Sequence, residues 1–232
     1  AEQCLELGYK GYKMHGWSAG NVKDEIEMLR AVGKRVAGKM KIMYDAACHL
    51  NTLSDALEVG RICDEYGFYW YEDPYKDGGV SINGNQVLVQ KLSTPLLVGE
   101  HIRNLETSVD MLVNGSSFFS RADPDYDGGI TGSYKLVIAS EGLGVDCEIH
   151  SCGPPMRHLM AASRNSNFYE VNLLHPKCNN PWSLPVYDKN YDDLLNCIDK
   201  NGNVEVPTGP GLGVEYNWDY IRKNKLHTLE IS

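Results

Sequence analysis

The chain has 232 residues, 42% of them hydrophobic, and a formal charge of −9. That suits one α/β barrel, or part of one, with a true core, and the acidic balance argues against nucleic acid or an anionic membrane as partner. No apolar run approaches the roughly 20 residues of a membrane span, no signal peptide is visible, and the seven cysteines show neither a CxxC pair nor zinc spacing, so structural thiols in a cytoplasmic protein are expected.

In chain order, strand and helix patterns alternate. The start, AEQCLELGYK, reads as the end of a helix running into a strand at 9–14 (YKGYKM). Val22, Ile26, Leu29, Val32 and Val36 repeat at three and four, which predicts a helix over 20–38. KIMYD (41–45) is the next strand, 53–66 the next amphipathic helix, and FYWYE (68–72) the next strand. A Gly-rich loop at 77–85 and a short helix near 86–92 follow, then strand LLVGE (96–100) and a helix at 105–114. SFFSRAD (117–123) is a strand, 131–141 a helix, and VDCEIH (145–150) and NFYEV (167–171) are strands flanking a helix at 155–164. From 172 the period is lost in a tail rich in Asn, Pro and Gly.

That makes seven strands. A closed (β/α)₈ TIM-type barrel needs one more unit ahead of residue 1, whereas an open doubly wound sheet would not. The barrel reading divides the chain into a partial barrel at 1–171, holding strands two to eight, and a C-terminal extension at 172–232. It leaves the edge where the first strand belongs exposed, a pairing hazard. Low stability and little activity are therefore expected of residues 1–232 alone.

Three acids close successive apolar runs, Asp45, Glu72 and Glu100, spaced 27 and 28 residues apart. A strand, a return helix and two loops take about that many residues, so the carboxylates recur at one end of neighbouring parallel strands. In a barrel that end is the active-site face, and three carboxylates there suit a hard dication, most simply Mg²⁺. One acid at a strand end is usually a solvated loop residue; the near-equal spacing of three carries the reading. Lys13 and His15 are alternate residues at an earlier strand end and so point the same way. Asp123, His150 and Glu170 follow at later strand ends. His49, His158 and His175 read as surface residues of loops or helices, and His101 could face the site or pack outward.

Read together, GYKGYKMH, YDA, YEDP, GEH, DPDYDGGIT, EIHSCG and the closing PGLGVE resemble, in order and spacing, the barrel domain of the enolase superfamily, mandelate racemase-like subgroup. The resemblance implies abstraction of the proton α to a carboxylate, with Mg²⁺ on Asp45, Glu72 and Glu100 stabilising the resulting charge. It implies that His150 is an acid or base oriented by Asp123, that Lys13 and His15 flank the opposite face of the carbon, and that a protonated Glu170 bonds a substrate carboxylate. It also implies a homo-oligomer when full length, and an N-terminal α+β capping domain, absent from this chain, against which 172–232 would pack. Two positions depart from the pattern. The usual Lys-x-Lys is Lys13-Met14-His15, and the usual Asp-x-Asn is Asp45-Ala46-Ala47. SFFSRAD has no lysine, unlike muconate-cycloisomerase-like members. The activity expected is a dehydratase acting on a sugar acid, with a 2-hydroxy-acid racemase or epimerase, or an inactive barrel fragment, as alternatives. Whether His15 or His150 takes the α-proton stays open at this point.

Overall fold

The computed structural model describes residues 1–16, 19–76, 80–174, 177–180, 183–188 and 191–230. Among these, six strands and eight helices follow one another: α1 (Glu2–Glu6), β1 (Gly11–His15), α2 (Val22–Val36), β2 (Lys41–Asp45), α3 (Leu53–Tyr66), β3 (Tyr71–Glu72), α4 (Ile82–Lys91), β4 (Leu96–Val98), α5 (Leu105–Val113), β5 (Phe119–Ala122), α6 (Gly129–Gly142), β6 (Asp146–Ile149), α7 (Pro154–Ala161) and α8 (Trp218–Asn224). The strands form one parallel sheet in the order β1-β2-β3-β4-β5-β6. A doubly wound sheet reverses strand order at a switch point; this one never does, so it curls as a barrel wall.

Local chemistry sets the element boundaries. Thr52 and Asp55 close a reciprocal capping box at the start of α3, and Gly67 ends that helix in the left-handed region at φ 65°. Asn21 accepts the Lys23 and Asp24 amides to start α2, and Ser81 and Asn104 start α4 and α5 in the same way.

Strand alternation sorts the side chains into two layers. Met14, Ile42, Tyr44, Tyr71 and Leu96 face outward into a core shared with Leu29, Val36, Val59, Cys63 and Leu88 of the helices. Inside the curl, Met43, Trp70, Leu97 and Phe119 pack with Tyr69 and Phe168. The Trp70 ring tilts against both Phe119 and Phe168, with centroids 5.8 and 6.2 Å away. Each fully buried ring or aliphatic chain contributes about 1.5–3 kcal/mol. This apolar plug is the floor on which the polar end of the curl stands.

Three sequence expectations change. NFYEV is not a strand: the Asn167 and Phe168 amides donate to the Glu148 carboxylate, at 3.1 Å each to Oε2, instead of to a neighbouring backbone. A buried acid on β6 thus takes the ladder's place. The strands are also shorter than their apolar runs; β4 ends at Val98, two residues before Glu100. The tail expected to lack periodic structure contains α8. It is tied to the barrel through Arg157, whose guanidinium donates to Glu205 O, Asp192 O and Asp193 Oδ1 at 2.8, 2.6 and 2.7 Å. Part of the 77–85 loop, Asp77–Gly79, and His175 lie outside the described residues. No described helix is long and apolar enough to cross a membrane.

Candidate active site at the strand ends

Parallel register places the acids. His15 pairs with Asp45 across β1 and β2, and Asp45 with Glu72 across β2 and β3. Glu72 in turn pairs with Leu97, so Glu100 reaches the same rim only through a turn. Gly99 makes that turn at φ 139°, where a Cβ would lie 3.1 Å from Arg121 backbone atoms. One oxygen from each of Asp45, Glu72 and Glu100 comes within 4.8 Å of the others. Asp45 and Glu72 are buried and Glu100 is 16% exposed, so the set opens on one side. Three hard oxygens in that space fit a dication with room for further oxygen ligands. Burial, and then the Glu72 charge, push the Asp45 carboxyl up to about 6.

Lys13 lies beside this trio, its Nζ 3.0 Å from Glu72 Oε2, 3.7 Å from Asp45 Oδ2 and 2.7 Å from Glu170 Oε1. Burial and Arg121 oppose its charge, but the three carboxylates outweigh them and hold the ammonium form. Farther out, His15 is 67% exposed and its Nε2 lies 3.9 Å from Asp45 Oδ2. Its Nδ1 is 2.9 Å from Gly16 O, which can only accept. Nδ1 therefore carries the proton in the neutral ring and Nε2 keeps its lone pair.

Across the mouth, His150 Nδ1 is 2.5 Å from Asp123 Oδ2, and His150 Nε2 is 3.5 Å from Glu100 Oε2. Burial would depress the imidazole's affinity for protons, but the Asp123 bond, with Glu170 and Glu100, raises it above its ordinary value. Asp123 is set by the turn that follows β5: its amide donates to Asp127 Oδ2 and its Oδ1 accepts from the Asp125 amide, both at 2.7 Å.

Glu170 accepts from the Ser151 amide at 2.8 Å and pairs with Lys13 and Arg121. Burial favours its neutral form, yet Arg121, Lys13 and His150 together pull it far below the ordinary carboxylate range. These cations favour the ionised form of Glu170, where the resemblance implied a protonated one.

All eight residues singled out in the sequence gather at this rim. A cavity of about 1150 Å³ is lined by Lys13, His15, Asp45, Glu100, His150 and Glu170, and runs on along the seam between β1 and residues 167–174. Sequence reading missed Arg121, whose guanidinium is buried between Glu72 and Glu170. The signal was present: Phe119, Arg121 and Asp123 alternate along one strand, so an inward Asp123 implies an inward Arg121. It also missed Asp73, buried beside His101 at 3.5 Å from the ring Nε2. His101 therefore meets Asp73 instead of the acid trio. His158 is part-buried rather than superficial, its Nε2 3.0 Å from Leu212 O.

The comparisons agree with this architecture. Arabinonate dehydratase of Saccharolobus solfataricus is 25% identical over 213 residues, covering 90% of this chain and 53% of the relative. N-succinylamino acid racemase of Amycolatopsis is 27% identical over 217 residues, covering 90% and 54%. The crystal structure of D-glucarate dehydratase from Agrobacterium tumefaciens, complexed with magnesium, superimposes with a TM-score of 0.81 at 27% identity, over 97% of this chain and 59% of that one. The chain thus spans about half the length of the curated relatives it matches. The enolase C-terminal domain-like family profile matches residues 1–220, and the chain belongs to that family.

Proposed function

We propose that this chain is the barrel portion of an Mg²⁺-dependent sugar-acid dehydratase, converting a polyhydroxy carboxylate into a 2-keto-3-deoxy acid. The observation that carries the reading is the convergence of the Asp45–Glu72–Glu100 oxygens with a histidine on each side of the mouth, His15 beside Asp45 and His150 beside Glu100. Several relatives are named as sugar-acid dehydratases, and magnesium is bound in similar solved structures.

The proton α to a carboxylate is a very weak acid. Mg²⁺ held by Asp45, Glu72 and Glu100 would supply the positive charge that stabilises the developing anion. Lys13, held as an ammonium, adds a second cation facing the substrate carboxylate. His15 offers the Nε2 lone pair and takes the α-proton as the Cα–H bond breaks. His150, its protonated form favoured by Asp123, gives its Nε2 proton to the β-hydroxyl, which leaves as water as the Cα–Cβ double bond forms. The enol then tautomerises to the keto acid. Arg121 keeps Glu72 and Glu170 ionised, and Glu170 in turn holds Lys13 in place.

Proton NMR of the native polypeptide in D₂O, with Mg²⁺ and a panel of aldonic and aldaric acids, tests this. Substrate loss with a new 3-deoxy methylene signal is expected. Proton carriers on two sides of the mouth also favour a second reading, a racemase or epimerase. Deuterium entering the α-position with no loss of water would move the assignment there, and no reaction with any acid would remove both.

A further inference from the structure

The same three strand ends that carry the acid trio supply a second set of donors. Asp73 follows Glu72, His101 follows Glu100, and Cys48 lies three residues beyond Asp45. Cys48 Sγ, an Asp73 carboxylate oxygen and a His101 ring nitrogen all lie within 4.8 Å of one another. The Cys48 amide donates to Asp73 O at 2.9 Å, which fixes the loop after β2 against the end of β3. Asp73 is 1% exposed, and neither of its side-chain oxygens receives a hydrogen bond. The buried Asp73 side chain faces a thiol and an imidazole, with the His101 ring at 3.5 Å too distant for a full hydrogen bond, an arrangement that a cation would complete. His101, 36% exposed, gives that cation a path from solvent.

We propose that Cys48, Asp73 and His101 form a second metal site, for a borderline divalent cation of the Zn²⁺ class. The donor chemistry separates it from the first site. Three carboxylates suit a hard ion such as Mg²⁺, whereas a thiolate and an imidazole select a softer one. Three protein ligands leave a fourth position of a tetrahedral ion open to solvent.

The test is titration of the intact polypeptide with Co²⁺ in the presence of excess Mg²⁺, followed by competition with Zn²⁺. A thiolate-to-cobalt charge-transfer band saturating at one equivalent is expected. Cys48→Ser should abolish it, and His101→Ala should weaken Zn²⁺ binding by at least about tenfold. Glu100→Gln, which removes a ligand of the first site and none of the three donors of the second, should leave the band in place. No band in the parent protein, or a band that survives Cys48→Ser, overturns the site. Circular dichroism checks the fold of each variant. If Cys48→Ser does not fold, His101→Ala, at a part-exposed position, decides alone, and unchanged Zn²⁺ affinity there overturns the proposal.

Discussion

Arg121 Nε lies 2.9 Å from Glu72 Oε1, with both side chains 0% exposed, and the same guanidinium reaches Glu170. One cation is thus buried between two anions that border the proposed reaction centre. Arg121 and Lys13 together pull Glu72 below the ordinary carboxylate range against the opposing effect of burial. Such a set is stable only when complete, because each member would be an uncompensated charge without the others.

Arg121→Met fills much the same volume but leaves Glu72 and Glu170 with Lys13 as their shared cation. A loss of about 3–5 kcal/mol is expected, read from the urea midpoint. Adding Glu170→Gln to Arg121→Met should recover part of that loss, because one of the two anions sharing Lys13 is removed. If the double variant is instead less stable than the sum of the two single changes, Arg121 is not acting through Glu170.

The Asp123–His150 bond sets the basic limb of the pH profile. A general acid must be protonated, so kcat should fall as pH rises through the raised His150 pKa. Asp123→Asn removes the anion from Nδ1, lowers that pKa and moves the limb toward lower pH. The contribution to stability has the same sign. It is fully present below the ordinary pKa of about 6.5 and is lost as pH rises through the raised folded value. Imidazole C–H shifts followed by NMR against pH in the two proteins measure both effects.

How much of this was legible follows from period and register. Asp45, Glu72 and Glu100 were readable because a strand-and-helix repeat returns the chain to the same rim every 27 or 28 residues. The inward direction of Lys13 and His15 followed from simple alternation. Glu170 was placed by its position in the chain, whereas its pairing with Arg121, 49 residues away, has no local signal. Residues 167–171 have the composition of a strand, yet Asn167 and Phe168 bond to the Glu148 side chain, and no local pattern announces a carboxylate standing in for a ladder. Arg121 was overlooked because a charged residue amid SFFSRA suggests an exposed face, whereas its partners come from β3 and from residue 170.

Proton competition at Asp45 should make divalent-metal binding pH-dependent. Its carboxyl, pushed up to about 6, must lose a proton to act as a ligand. Mg²⁺ affinity measured by calorimetry should therefore fall as pH drops through about 6, with proton uptake by buffer accompanying binding below that pH. Glu100→Gln removes one anionic oxygen from the part-exposed side and should weaken Mg²⁺ at every pH without shifting the midpoint of the profile.

Gly132 gives a test of how the turn that carries Asp123 is held. It lies in the first turn of α6, where alanine would ordinarily favour the helix by about 1 kcal/mol. A Cβ there, however, would lie 1.5 Å from the Asp127 carbonyl oxygen, a backbone atom that no rotamer change can move. Relief requires the 123–129 turn to shift. That turn holds Asp123 through the Tyr126 and Asp127 amides, which donate to its carbonyl at 3.0 and 2.8 Å. Gly132→Ala should therefore cost about 1–3 kcal/mol of stability, and on the order of 10²-fold in kcat as Asp123 is displaced from His150. Gly142, at the far end of the same helix, is the matched control. A Cβ there meets nothing within 4 Å, so Gly142→Ala should be neutral or stabilising with full activity. Equal behaviour of the two variants in thermal melts and turnover would show that the turn does not depend on the close approach of Gly132.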